Sequence, residues 1–213
     1  MRFLTFCLTL AVWPGASQEN GAANSPIVLY THFEQQPPAP VWNAITSETD
    51  AILSGMRLHT EWRSLDNASG RGVAVDLAVV HFKGECRVDR QVPVVSHPAV
   101  LGSTYISDGS ILPFADVNCE QVRGFLQREL GALHRQTAEE LLGRALDRVV
   151  AHELYHVLAK TVVHAASGVA KAAFSIQDLV AERFEFREHE LRELREGLAH
   201  GLAPATESVD LPL

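Results

Sequence analysis

Residues 137–160, TAEELLGRALDRVVAHELYHVLAK, carry the strongest structural signal in this sequence. Apolar residues recur in it at helical spacing, as at Leu142 and Leu146, and they predict one long amphipathic helix. Thr137 is a good N-cap, and Glu140 stands at the third helical position, so together they predict a capping box at the start of the helix.

The same helix contains the HExxH motif His152-Glu153-Leu154-Tyr155-His156. Residues four apart lie one turn apart on the same helix face, so both imidazoles can reach one metal ion. Glu153 is offset from His152 by about 100° and lies beside that ion, near enough to take a proton from bound water. Zinc with three protein ligands keeps one position open for such a water. The alternative is a surface helix with incidental histidines.

The segment 152–171, HELYHVLAKTVVHAASGVAK, resembles the zincin metallopeptidases and, within them, the metzincins. In metzincins the motif helix ends abruptly, a third His follows, and a tight turn bearing a Met underlies the metal. The resemblance implies a zincin-like fold, Zn²⁺ as cofactor, a peptide or protein substrate, and His164 as the third ligand. This sequence has a longer gap before its third His, Ala159 where metzincins have Gly, and no Met in residues 168–171.

Helix geometry sets a condition on His164. In an unbroken helix His164 would lie about 18 Å along the axis from His152, too far to share an ion. The helix must therefore end near Lys160 or Thr161. The three β-branched residues 161–163 weaken a helix at this point.

A Glu on a later helix is the competing third ligand. Ser175 and Asp178 predict a capping box, followed by a charged helix that runs from residue 176 to about residue 198. Glu182 lies in a partly apolar stretch of that helix and Glu185 faces another direction. The alternative for both residues is a solvated helix face, and a site without a third protein ligand also stays open.

The rest of the sequence predicts an α+β fold: a mixed sheet with a helix first, then the motif helix and C-terminal helices. One domain over residues 18–200 accounts for this order, because no long linker divides it. An Asp-Gly pair at residues 108–109 predicts a hairpin. Strand-type runs cover residues 25–33, 57–65 and 73–88, and helical patterns cover 41–54 and 120–133.

The N-terminus reads as a secretory signal. Arg2 precedes an apolar run over residues 3–13, and small residues follow at 15–17, which predicts a signal peptide over residues 1–17. The protein is then secreted or periplasmic, although a buried N-terminal strand is the alternative. The tail 201–213 has no periodicity and is predicted to be flexible.

Composition excludes some functions. Of 213 residues, 18 are Lys or Arg and 26 are Asp or Glu, and the net charge of −8 argues against nucleic-acid binding. No segment after the signal reaches the length of a membrane span. Removing the signal leaves Cys86 and Cys119, which form a disulfide or stay as two core thiols. The sequence does not indicate an oligomeric state.

The sequence leaves two possible functions, which belong to different classes. The first is a secreted zinc metallopeptidase in which His152, His156 and His164 hold zinc and Glu153 is the general base. The second is a non-catalytic secreted metal-binding protein with a degenerate zincin fold. Retention of Glu153 favours the enzyme, because a purely structural site needs no general base.

Overall fold

The computed structural model describes residues 26–56, 59–67, 77–88 and 100–201. In this part of the chain a sheet with one helix comes first and helices follow, as predicted. The strands are β1 (Ile27–Gln35), β2 (Thr60–Ser64), β3 (Leu77–Glu85), β4 (Gly102–Ser107) and β5 (Ser110–Asn118). The helices are α1 (Ala39–Leu53), α2 (Cys119–Phe125), α3 (Gln127–Gly131), α4 (Arg135–Ala159), α5 (Ile176–Val180) and α6 (Glu188–Gly201).

The five strands form one mixed sheet in the order β2-β1-β3-β5-β4. Neighbouring strands are parallel except β4, which pairs antiparallel with β5 at the edge of the described sheet. Asp108 and Gly109 connect these two strands with φ of 50° and 77°, as a two-residue hairpin of type I′ requires. The hairpin prediction is confirmed, and it places an antiparallel edge strand beside α4.

The core lies between the sheet and the helices. Helix α4 packs against β3, β4 and β5 and also contacts α1 and α6. Leu29, Val80 and Val117 from the strands and Leu142 and Leu146 from α4 have no exposed surface. Residues 145–158 of α4 are all buried, polar side chains included, so neighbouring elements enclose this part of the helix on every side and not only along its apolar stripe.

A disulfide joins Cys86, just after β3, to Cys119 at the start of α2, with the Cα atoms 4.9 Å apart. Both cysteines are buried. The sequence left this pairing open, and the structure resolves it in favour of the bridge.

The predicted start of the motif helix is wrong. Helix α4 begins at Arg135, with His134 in extended conformation as its N-cap. The amide of Ala138 donates to the His134 carbonyl (2.9 Å), so Thr137 already lies inside the helix. Glu140 accepts from Gln136 Nε2 (3.1 Å) rather than completing a capping box.

The charged helix predicted from residue 176 to about 198 is two helices, α5 and α6. Its capping box at Ser175 and Asp178 is confirmed. The chain leaves the helix at Ala181, whose carbonyl accepts from the guanidinium groups of Arg144 and Arg148, both at 2.7 Å. These arginines bind carbonyl groups that a continuous helix would use internally. The pattern over residues 120–133 likewise becomes two short helices, α2 and α3.

Several predictions fall outside the described residues. They include the signal peptide 1–17, residues 73–76 of the third strand-type run, and the tail after Gly201. In the described part of the chain, no helix combines the length and apolar character that crossing a membrane would need.

Candidate metal centre

Helix α4 places the two motif histidines on one face, as their spacing predicts. The Nε2 atoms of His152 and His156 lie 3.1 Å apart. The ring of His164 stacks on that of His152, with centroids 5.3 Å apart, and lies 4.8 Å from the ring of His156. One nitrogen from each of the three rings falls within 4.8 Å of the others. Within the described residues, this is the group of His, Cys, Asp or Glu side chains that could hold a metal ion.

His164 reaches this position because α4 ends where the sequence required it to end. The last helical residue is Ala159, and Lys160 takes the left-handed conformation with φ 52° and ψ 40°. The Thr161 amide still donates to the His156 carbonyl (3.3 Å), after which the chain turns back. The chain therefore reverses its direction at Lys160, one residue after Ala159, which is the position where metzincins have Gly. A non-Gly residue in this conformation costs about 1 kcal/mol, a small strain for the local fold.

Backbone carbonyl groups orient the two motif imidazoles. His152 Nδ1 lies 2.8 Å from the Val169 carbonyl oxygen, and His156 Nδ1 lies 2.7 Å from that of Thr161. Because a carbonyl oxygen only accepts, each Nδ1 carries the proton and each Nε2 keeps its lone pair. This outer hydrogen bond is the one that metal-binding histidines use to fix their tautomer.

Burial keeps both motif histidines neutral at pH 7. It lowers the pKa of His152 to about 4, against a smaller opposing effect of the bond to Val169. Burial also lowers the pKa of His156 below its usual value. Neutral imidazole is the form that binds a metal, so neither ring has to lose a proton first.

The donor set fits zinc. With Zn–N bonds of about 2.0–2.1 Å, tetrahedral coordination places ligand nitrogens about 3.3 Å apart. The Nε2 atoms of His152 and His156 are already within 0.2 Å or so of that separation, at 3.1 Å. His164 is exposed while the other two rings are buried, so the site faces solvent on the side of His164. Three imidazoles leave a fourth position for water or substrate.

Glu153 lies beside the triad, only 4% exposed. The Thr104 hydroxyl of β4 donates to its Oε2 at 2.7 Å. Burial raises the pKa of Glu153 to about 7, the Thr104 bond opposes this rise, and the nearby charge of Asp116 adds to it. A carboxyl group with a pKa near neutrality can both accept and return a proton.

A cleft of about 530 Å³ contains the triad and Glu153. Its lining includes four residues of β4 and residues 171–174, together with Phe125 and Val149. Val162 lines the cleft near His164 and is 57% exposed.

The two alternative candidates for the third metal ligand, Glu182 and Glu185, are not part of the histidine triad. Glu182 and Glu185 are both exposed in the segment between α5 and α6, and neither lines the cleft. Sequence reasoning missed two supporting residues, Thr104 and Val169. Thr104 lies 49 positions before Glu153, and Val169 acts through its backbone, so neither carries a sequence signal.

Comparison with known proteins supports the fold. No protein-family model matches the chain, and no curated protein does. Among solved structures, archaemetzincin from Methanopyrus kandleri matches with a TM-score of 0.51 at 12% identity, over 83% of this chain and 98% of that one. A zinc-dependent peptidase from Methanocorpusculum labreanum matches with a TM-score of 0.50 at 13% identity, over 78% of this chain and 99% of that one. The mixed five-stranded sheet with its helices is thus similar in fold to these two solved structures.

Proposed function

We propose that this protein is a secreted zinc metallopeptidase of the HExxH type, metzincin-like, in which His152, His156 and His164 hold the zinc ion. One observation carries the proposal: three imidazoles converge, two of them oriented by backbone carbonyl groups, beside the buried carboxylate of Glu153. The likeness to the structures of archaemetzincin and of a zinc-dependent peptidase supports it at the level of the fold.

In the proposed mechanism, His152, His156 and His164 would hold zinc, which would act as a Lewis acid toward a bound water and a substrate carbonyl. Glu153 accepts the proton of the attacking water and returns it to the leaving amine. Burial raises the pKa of this carboxyl group, which makes it a better proton acceptor. Thr104 holds the carboxylate through Oε2, so the base keeps one orientation while it gains and loses the proton.

The substrate in this proposal is a peptide or protein in extended conformation. Strand β4 lies at the edge of the described sheet and contributes four residues to the lining of the cleft. An extended peptide can add to such an edge through main-chain hydrogen bonds, which would bring successive peptide groups past Glu153.

The proposed location is extracellular or periplasmic, after removal of a signal peptide over residues 1–17. The bridge between Cys86 and Cys119 supports this, because disulfides persist in oxidising compartments. Residues 18–200 then form the single catalytic domain.

The test is Glu153→Gln, which keeps the size of the side chain and removes the base. We expect this variant to retain zinc and to lose cleavage of a broad peptide library, and we expect a chelator to abolish wild-type cleavage. Substantial activity in zinc-loaded Glu153→Gln would contradict the role given to Glu153.

A non-catalytic metal-binding protein is the second candidate. The departures from the metzincin pattern favour it, above all the lack of a Met in residues 168–171. The same experiment separates the two functions. A zinc-loaded wild-type protein that cleaves nothing in the library would indicate binding without turnover.

A further inference from the structure

Glu190 of α6 is a fully buried acidic residue that the proposed mechanism does not use. Its Oε1 accepts from the amide of Ala170 at 2.7 Å, and its Oε2 accepts from the amide of Arg187 at 2.5 Å. Burying a carboxylate is costly unless hydrogen bonds compensate. Both oxygens of Glu190 are compensated by backbone donors, so this side chain fixes a loop to the start of α6.

That loop, residues 165–171, follows His164 and contacts the metal centre at His152. The amide of Ala165 donates to the carbonyl of Ala170 at 2.8 Å, and Val169 and Ala170 are fully buried. Gly168 has φ 89°, and a Cβ there would lie 2.6 and 2.7 Å from the two carboxylate oxygens of Glu190. The carboxylate therefore touches the loop directly, on both sides of Val169.

Val169 is the residue whose carbonyl oxygen accepts from Nδ1 of His152. A continuous set of contacts thus leads from the Glu190 carboxylate, through the backbone of residues 168–170, to the imidazole of His152. Each step is a hydrogen bond or a close contact.

We infer that Glu190 is a positioning residue of the metal centre. It holds the Val169 carbonyl where that group fixes the tautomer and the direction of the His152 ring. The inference rests on the proposed function, since it concerns the zinc site. Loss of this support moves an outer hydrogen bond of one ligand, and such changes weaken metal affinity by about 10- to 100-fold.

Glu190→Gln tests the inference, because it keeps the side-chain size but replaces one acceptor oxygen with an NH₂ group that cannot accept. Zinc affinity is measured by competition with a chromophoric chelator, at a temperature where circular dichroism shows both proteins folded. We expect about 10- to 100-fold weaker binding and faster hydrogen exchange of the Ala170 amide in the metal-free protein. Glu196→Gln, at an exposed position of the same helix, is the matched control and should bind as the wild type does.

The outcomes separate this inference from the proposed function. A wild-type protein that binds no zinc overturns both. Zinc binding of equal strength in the wild type and in folded Glu190→Gln overturns the inference alone. If Glu190→Gln does not fold, Gly168→Ala is the second variant, because its Cβ displaces the same contact. Unchanged zinc affinity in folded Gly168→Ala would overturn the inference as well.

Discussion

Gly102→Ala offers a sharp test of how β4 and α4 together hold the general base. A Cβ on Gly102 would lie 2.6 Å from Cγ1 of Val149 and 2.7 Å from Oε1 of Glu153. Ordinary van der Waals contact begins near 3.4 Å, so β4 or the Glu153 side chain must move by about 0.7 Å. Because a misplacement of 1 Å can cost about 100-fold in rate, we expect kcat/KM to fall by about 10- to 100-fold.

The assay compares kcat/KM, zinc content and urea unfolding for the wild type and Gly102→Ala on one peptide selected from the library. Zinc content should not change, because the three histidines are untouched. Overpacking should lower the free energy of unfolding by about 1–3 kcal/mol. Gly131→Ala is the control, since a Cβ at Gly131 meets nothing within 4 Å. A wild-type kcat/KM in Gly102→Ala would refute the view that direct contact with β4 positions Glu153.

Two further predictions concern buried ionisable side chains of α4, those of Arg148 and Asp147. Glu48→Ala should lower the free energy of unfolding by about 3–5 kcal/mol in urea titrations. The reason is that the fully buried Arg148 guanidinium loses the carboxylate partner that lies 2.7 Å away. A loss below about 1 kcal/mol would contradict this prediction. Burial raises the pKa of Asp147 well above its usual value, so the folded chain keeps this proton to higher pH than the unfolded chain does. The contribution of Asp147 to stability is therefore present below about pH 4 and is lost as pH rises through the folded-state pKa. The side chain introduced by Asp147→Asn stays neutral at every pH. The free energy of unfolding of this variant, relative to that of the wild type, should therefore rise between pH 4 and pH 8. If that difference does not change with pH, Asp147 does not titrate in this way.

Local sequence signals predicted the parts of the fold that local interactions form. The Asp-Gly pair at 108–109 needs only two residues with positive φ, and the box at Ser175 and Asp178 spans one helical turn. The break between α5 and α6 could not be predicted in the same way. It depends on Arg148, which binds the carbonyl groups of Asp178 and Ala181 from 30 and 33 positions away.

The same distinction applies to the metal centre. Helical spacing brings His152, Glu153 and His156 together, so the motif alone predicts their common face. The position of His164 depends on where α4 ends, which the β-branched residues 161–163 indicated. The supports of the site come from other elements, and Thr104 and Glu190 meet it only through the tertiary fold.

The zinc content per chain, measured by elemental analysis after dialysis of protein that begins at Gln18, decides whether the three histidines form a metal centre. We predict about one zinc ion per chain in the wild type and in Glu182→Ala, because three imidazoles suffice for a site with one open position. We predict loss of that zinc in His164→Ala. A wild-type protein that holds no zinc after reconstitution at neutral pH, or a His164→Ala variant that keeps it fully, would contradict the metal centre proposed for this chain.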